Sequence, residues 1–239
     1  MQSASYVALS SQMALRRQMD VVANNIANAA TPSYKGEHMM FAEFLGKTQS
    51  GQPMSFVQDV GTYRETKQGA LTHTGNQLDV ALDGEGYLKV QTPLGIRYTR
   101  NGRLQLDASG QAVTSQGYPV LAEGDSPLTV PSDARDITVT RDGTVSTDQG
   151  QAGKFAVVKF ANENDLAPAS AGLYVTQATP TPAPDTGLVQ GMVEESNVQP
   201  IVEMTRMMTV AQDFASAQKL LDFESDREKT AIDKLGRVA

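Results

Sequence analysis

Residues 5–28 read SYVALSSQMALRRQMDVVANNIAN, a run without glycine or proline. Apolar residues recur at Ala8, Leu15, Met19, Val22, Ile26 and Ala29, in steps of 3, 4 and 7, with Gln12 in the one vacant place. That is the stripe of an amphipathic helix. Across residues 1–34 the charged side chains are Arg16, Arg17 and Asp20, close enough to pair on one helical face. Most of the rest are Ala, Ser and Asn, which suit close packing on several sides. The helix ends at Thr31-Pro32, because the residue before a proline avoids helical geometry.

Working outward, glycine and proline mark a different middle. Nineteen of the 20 glycines lie between Gly36 and Gly191, the other being Gly236, and no proline precedes Pro32 or follows Pro200. In a helix interior the two cost roughly 1 and 3 kcal/mol relative to alanine, so helical ends flank a turn-rich centre. The last helix is expected from Asn197 as its N-cap, with Pro200 in the first turn, to about Leu235 before Gly236. At 1.5 Å per residue it is a rod of roughly 55 Å. One heptad row reads Met207, Phe214, Leu221, Glu228, Leu235 and its neighbour Met204, Ala211, Gln218, Ser225, Ile232. Glu224–Arg227, Asp226–Lys229 and Asp233–Arg237 are spaced to support the exposed side. A helix of that length cannot be buried in a small domain of its own and calls for a partner.

Between the helices, short apolar or alternating runs predict strands at 77–82, 87–91, 96–100, 103–107, 119–121, 136–140 and 155–160. Hairpin signals join them at Thr92-Pro93-Leu94-Gly95, Asn101-Gly102 and Asp142-Gly143. Residues 33–60 carry no firm period and read as an extended connector. The organisation expected is α+β: an N-terminal assembly helix (1–32), the connector (33–60), a central all-β domain (61–191) and a C-terminal assembly helix (192–239), the two helices pairing in a coiled-coil-like manner.

Composition narrows the function. The net charge of −7 opposes binding to nucleic acid through its phosphates. With no Cys, and His38 and His73 the only histidines, thiolate metal sites, cysteine nucleophiles and most histidine chemistry are absent. No run reaches ~18 apolar residues, as a membrane-spanning helix requires. Ala27-Asn28-Ala29 resembles a signal-peptidase site, yet Arg16 and Arg17 follow the apolar segment instead of preceding it, so no signal peptide is expected. Asp83-Gly84-Glu85-Gly86 lacks the rest of a calcium or phosphate loop and reads as a turn. Met204, Met207 and Met208 read as helix packing. No catalytic residue, metal or cofactor is expected. An adhesive or carbohydrate-binding β protein would need an aromatic platform, but Trp is absent and aromatics make up 6% of the chain. A carboxylate hydrolase would need a convergent acidic pair. The helical ends allow two readings: a pair packed within one chain, or seams that also join neighbouring copies into an open helical polymer.

Three strings then carry a resemblance. ANNIANAATPSYK (23–35) closely resembles the N-terminal signature of bacterial flagellar rod and hook proteins. TGNQLDVALDGEGYLKVQTPLGIRYTRNGRLQLDASG (74–110) is similar to the central β motif of that family, and VEESNVQPIVEMTRMM (193–208) to its C-terminal signature. Within the family, residues 6–28 and Asn197-Val198-Gln199-Pro200 look most like the F-type proximal rod subunit, with the G-type distal rod subunit as the nearest rival. The resemblance implies a structural protein, not an enzyme: a subunit of the rod, the shaft that crosses the periplasm. It implies polymerisation with its own copies and with proximal and distal rod subunits, and exit through the flagellar type III export apparatus. No nucleic acid or small-molecule substrate is implied. The terminal helices would form the inner tube, with the β domain outside, and folding would be coupled to assembly. On this resemblance Leu15, Met19, Val22 and Ile26 are expected to face Met207, Phe214 or Leu221, within or between subunits, with Met204 a further contact. Asn24, Asn25 and Asn28 are expected to hydrogen-bond at tight interfaces, or else to serve the helix end. Ser33 stands where the family usually has glycine, so its φ angle decides the local geometry.

Overall fold

The computed structural model describes residues 2–47, 53–131, 134 and 136–236. The chain divides into two compact units, one of Met1–Ala29, Gly36–Glu65 and Val198–Ala239, the other of Ala30–Lys35 and Thr66–Asn197. The architecture is α+β, with a helix near each end and a mostly β centre.

The first unit holds α1 (Gln2–Ala27), the strands β1 (Glu37–Lys47) and β2 (Pro53–Arg64), and α2 (Pro200–Gly236). α1 packs against α2 and against both strands. The Gln12 side chain donates to that of Gln218, and Asn25 donates to Glu203 at 3.3 Å, so the helices run antiparallel. α2 begins at Pro200. Asn197 is not its cap: the Asn197 side chain donates to the Lys67 carbonyl at 3.1 Å, and its N–H to the Tyr34 carbonyl at 3.2 Å. Glu224–Arg227 and Asp226–Lys229 pair at 2.9 and 3.5 Å, while Arg237 and the side chains of Glu228, Ile232 and Leu235 lie outside the described residues.

Where an extended connector was expected, residues 37–47 and 53–64 are strands. β1 and β2 form a long antiparallel ribbon, Glu37 opposite Arg64 and Lys47 opposite Pro53. A bulge after Met40 leaves Met40 opposite Gly61 and Phe41 opposite Asp59. The extra residue, Val60, lies in β2 and shifts the side-chain phase of that strand.

In the second unit, a six-stranded sheet runs in the order Ala167–Pro168, Leu173–Val175, Gly95–Thr99, Tyr87–Thr92, Val157–Lys159, Thr181–Pro182. Both edge strands carry a proline, which has no N–H to offer a further strand. Ile137–Val139, Thr144–Thr147 and Gly150–Lys154 form a second sheet, and Val80–Asp83 pairs with Gly187–Gln190. Val80, Leu82, Leu88, Val90, Leu128 and Phe155 fill one core cluster. Tyr87, Tyr98, Phe160 and Tyr174 form another, its rings edge to face at 4.8–6.0 Å.

The hairpin at Thr92–Gly95 forms where the turn residues place it, and Asp142-Gly143 closes the turn between 137–139 and 144–147, Gly143 at φ +88°. Asn101-Gly102 does not. It makes no hairpin, and its glycine answers a different need: a Cβ there would stand 1.6 Å from the Val80 carbonyl oxygen, while the Val80 N–H donates to the Gly102 carbonyl at 2.9 Å.

Candidate assembly surface

The antiparallel register follows from the two bonds above. Since 12 meets 218 and 25 meets 203, Leu15 lies near the level of Phe214, Val22 near Met207 and Ala8 near Leu221. Val22 is buried, and Leu15, Met19, Ile26, Met207, Phe214 and Leu221 are half-buried. The seam of α2 joins Met207, Phe214 and Leu221 to Glu203, Val210, Ala217 and Glu224, a 3–4 spacing. The row expected beside them, Met204, Ala211, Gln218 and Ser225, is exposed. Two of the seven seam residues are glutamates, both in the row at 203, 210, 217 and 224, so an apolar stripe could not reveal that row.

Those glutamates are partnered. Glu203 receives Arg206 at 2.5 Å as well as Asn25. Arg206 also reaches the His38 Nδ1 at 3.3 Å, while His38 Nε2 lies 3.4 Å from Glu65. Arginine can only donate, so Nδ1 accepts and Nε2 carries the proton toward Glu65. Asn25 is buried, and its amide clamps both backbone groups of Glu37, donating to the carbonyl at 2.8 Å and accepting the N–H at 2.9 Å. Asn25 therefore ties α1 to β1 and α2. Asn28 donates to the Asn24 carbonyl at 3.0 Å and to its side chain at 2.6 Å, with Asn24 exposed.

Away from the seam, α2 displays large apolar groups to solvent. Ile201 is 80% exposed and Phe223 64%, and Val202, Met204, Met208 and Leu220 are exposed as well. Leu9 and Met13 do the same on α1. A groove of about 470 Å³ runs along α2, lined by Gln18, Ile201, Val202, Thr209, Val210 and Asp213. α2 has 37 residues against 26 in α1, so at this register its last turns run past the start of α1. Patches of this kind on a folded chain mark interaction sites.

The second unit contains a charged cluster that no composition argument announces. Glu194 is fully buried, one carboxylate oxygen 2.5 Å from Lys35 Nζ and the other 2.9 Å from Arg100 Nε. Each comes from a different one of the three quoted strings. Burial is the main force pushing the Lys35 ammonium below its usual value, with Arg100 acting the same way and Glu194 opposing both. Ser33 has φ +57°, the left-handed region, and its hydroxyl donates to the Arg100 carbonyl at 2.9 Å. Among the described residues, no group of three or more His, Asp and Glu is placed to hold a metal ion, and no helix is long and apolar enough to cross a membrane.

Comparison with known proteins agrees along the whole chain. Residues 6–35 match the family "Flagella basal body rod protein", 81–147 the "Flagellar hook protein FlgE/F/G D1 domain", and 189–233 the "Flagellar basal body rod FlgEFG protein C-terminal". The chain is 37% identical to the flagellar basal-body rod protein FlgF of Caulobacter vibrioides, covering 100% of both chains, and 35% identical to FlgF of Rhizobium meliloti over 99% of each. It is 34% identical to the rod protein FlgG of Buchnera aphidicola from Acyrthosiphon pisum over 80% of this chain and 83% of that one. The full-length agreement lies with the F-type, whereas the G-type match is partial. The chain belongs to the flagellar basal-body rod protein family, as an F-type structural subunit of the proximal rod.

Proposed function

We propose that the α1–α2 pair is the assembly module of this rod subunit, a coiled-coil-like antiparallel hairpin closed within one chain and open on its outer face. The carrying observation is the row of solvent-facing apolar groups on α2, Ile201, Val202, Met204, Met208 and Phe223. Its occupants are further copies of the chain and other rod subunits, stacked head to tail so that contacts do not close and a shaft results. Leu15, Met19, Val22, Ile26, Met207, Phe214 and Leu221 hold the hairpin in shape. Asn25 fixes the ribbon to it, Asn24 and Asn28 finish α1, and Met204 contacts a neighbour. Subunit addition buries the outer face, which stiffens the shaft against torque; no bond is made or broken. Delivery runs through the flagellar export apparatus, in keeping with the F-type family. Site-specific cross-linking tests the reading. The chain has no Cys, so a single cysteine at Met208 should yield subunit-to-subunit cross-links in isolated basal bodies. Reaction there with small thiol reagents alone, without cross-links, would contradict it.

A further inference from the structure

The β unit is entered and left by the chain at Ala30, Lys35, Thr66 and Asn197. The segments beside these points are fastened to one another. The Ser33 N–H donates to the Glu194 carbonyl at 2.8 Å, the Asn197 N–H to the Tyr34 carbonyl at 3.2 Å, and the Glu195 N–H to the Ala70 carbonyl at 2.8 Å. The Lys67 carbonyl accepts both the Lys35 ammonium at 2.8 Å and the Asn197 side chain at 3.1 Å. Glu194 lies at the centre. One of its oxygens accepts Lys35 and the Gly69 N–H, the latter at 3.0 Å, and the other accepts Arg100. Arg100 reaches on to the carbonyls of Gly86 and Gly84 at 2.9 and 3.0 Å, which anchors the cluster in the sheet region. Gly69 has no room for a side chain, since a Cβ there would stand 2.0 Å from the Glu195 carbonyl oxygen.

A buried ion cluster is a poor way to gain stability alone, because apolar residues of similar volume do as well or better. It does something they cannot: it puts directional bonds from segments 33–35, 67–70 and 100 onto one side chain.

We propose that the Glu194 cluster is a mechanical clasp that holds the chain ends of the β unit together when they are pulled. Its bonds are loaded together, so no strand can peel from the unit until the clasp opens. Glu194 is the positioning residue, acting through Lys35, Gly69 and Arg100. The inference rests on the rod reading, since a torque-bearing shaft is where such tension arises.

The full chain, free of native cysteine, can be pulled between cysteines placed at the exposed Ala30 and Gln199, with E194Q and K35M as variants. K35M leaves the Arg100–Glu194 pair intact and keeps the test open if E194Q fails to fold. L128A, a buried core truncation far along the sequence from every clasp segment, is the comparison. Breaking a buried pair changes equilibria by ~100-fold or more, so lifetime under constant force should fall at least about 100-fold in E194Q, and measurably but less in K35M, where Glu194 keeps Arg100. It should fall far less in L128A when variants of equal urea stability are compared. Equal lifetimes at equal stability would overturn the clasp. Absence of the wild-type chain from purified basal bodies would instead overturn the rod reading, whatever the pulling data show.

Discussion

Lys35 Nζ stands 2.5 Å from Glu194 Oε1, across 159 residues of chain and with both side chains almost wholly withdrawn from solvent. Leaving either charge alone in that site costs about 3–5 kcal/mol. E194Q should lower the urea midpoint by that equivalent because it strands two cations, and K35M by less because Glu194 keeps Arg100. A midpoint unchanged in E194Q would mean the pair is not formed in solution.

Ser33 gives a finer test of the same corner. A non-glycine residue in the left-handed region is strained by about 1 kcal/mol, and its hydroxyl bond returns about the same. S33G should therefore be nearly neutral, while S33A keeps the strain, loses the bond and costs about 1 kcal/mol. Thermal unfolding of the two variants side by side gives the order; S33G less stable than S33A would contradict it.

Gly102 and Gly95 separate crowding from backbone conformation. A methyl group at Gly102 meets the Val80 carbonyl, whereas at Gly95, φ +102°, it meets open space. G102A should cost more than ~2 kcal/mol through forced displacement, and G95A about 1 kcal/mol from its φ angle alone. Equal losses would argue against the close approach of residues 80 and 102.

How far the sequence speaks can be seen in single elements. Ala8, Leu15 and Val22 announce α1 because one face of that helix meets the protein interior, and the turn residues announce the hairpins at 92–95 and 140–144. The row of α2 at 203, 210, 217 and 224 stayed hidden because Glu203 and Glu224 sit where a hydrophobic pattern looks for leucine. The ribbon stayed hidden because Met40, Phe41, Val60 and Tyr63 are all exposed, so large apolar residues there do not mark a buried face, and the bulge shifts the phase of β2. Glu194 could not be picked out among the acidic residues, since its partners are distant in sequence. The recurrence of Lys35, Arg100 and Glu194 in the three quoted strings was the one available signal.

Asp107 supplies a pH dependence. Its carboxylate accepts the N–H of Gln111 at 2.8 Å and of Ser109 at 2.9 Å, together with the Ser109 hydroxyl, and these bonds hold it below the ordinary 3.8. A folded value below the unfolded one means the contribution is full above pH 3.8 and is lost as pH falls through the folded value. D107N should be less stable than wild type at pH 7, and the gap should close in strong acid. A gap independent of pH would show that the carboxylate charge plays no part.

The central claim is that α2 assembles through its outer face while its inner face keeps the chain folded. The most direct measurement is incorporation of I201D into basal bodies, read by immunoblot of the purified particles, beside circular dichroism of the purified chain. Ile201 is 80% exposed, so the folded chain should tolerate the carboxylate with less than about 0.5 kcal/mol lost. The account predicts a wild-type spectrum and melting curve, no I201D in basal bodies and no motility. Wild-type incorporation with normal swimming would contradict it.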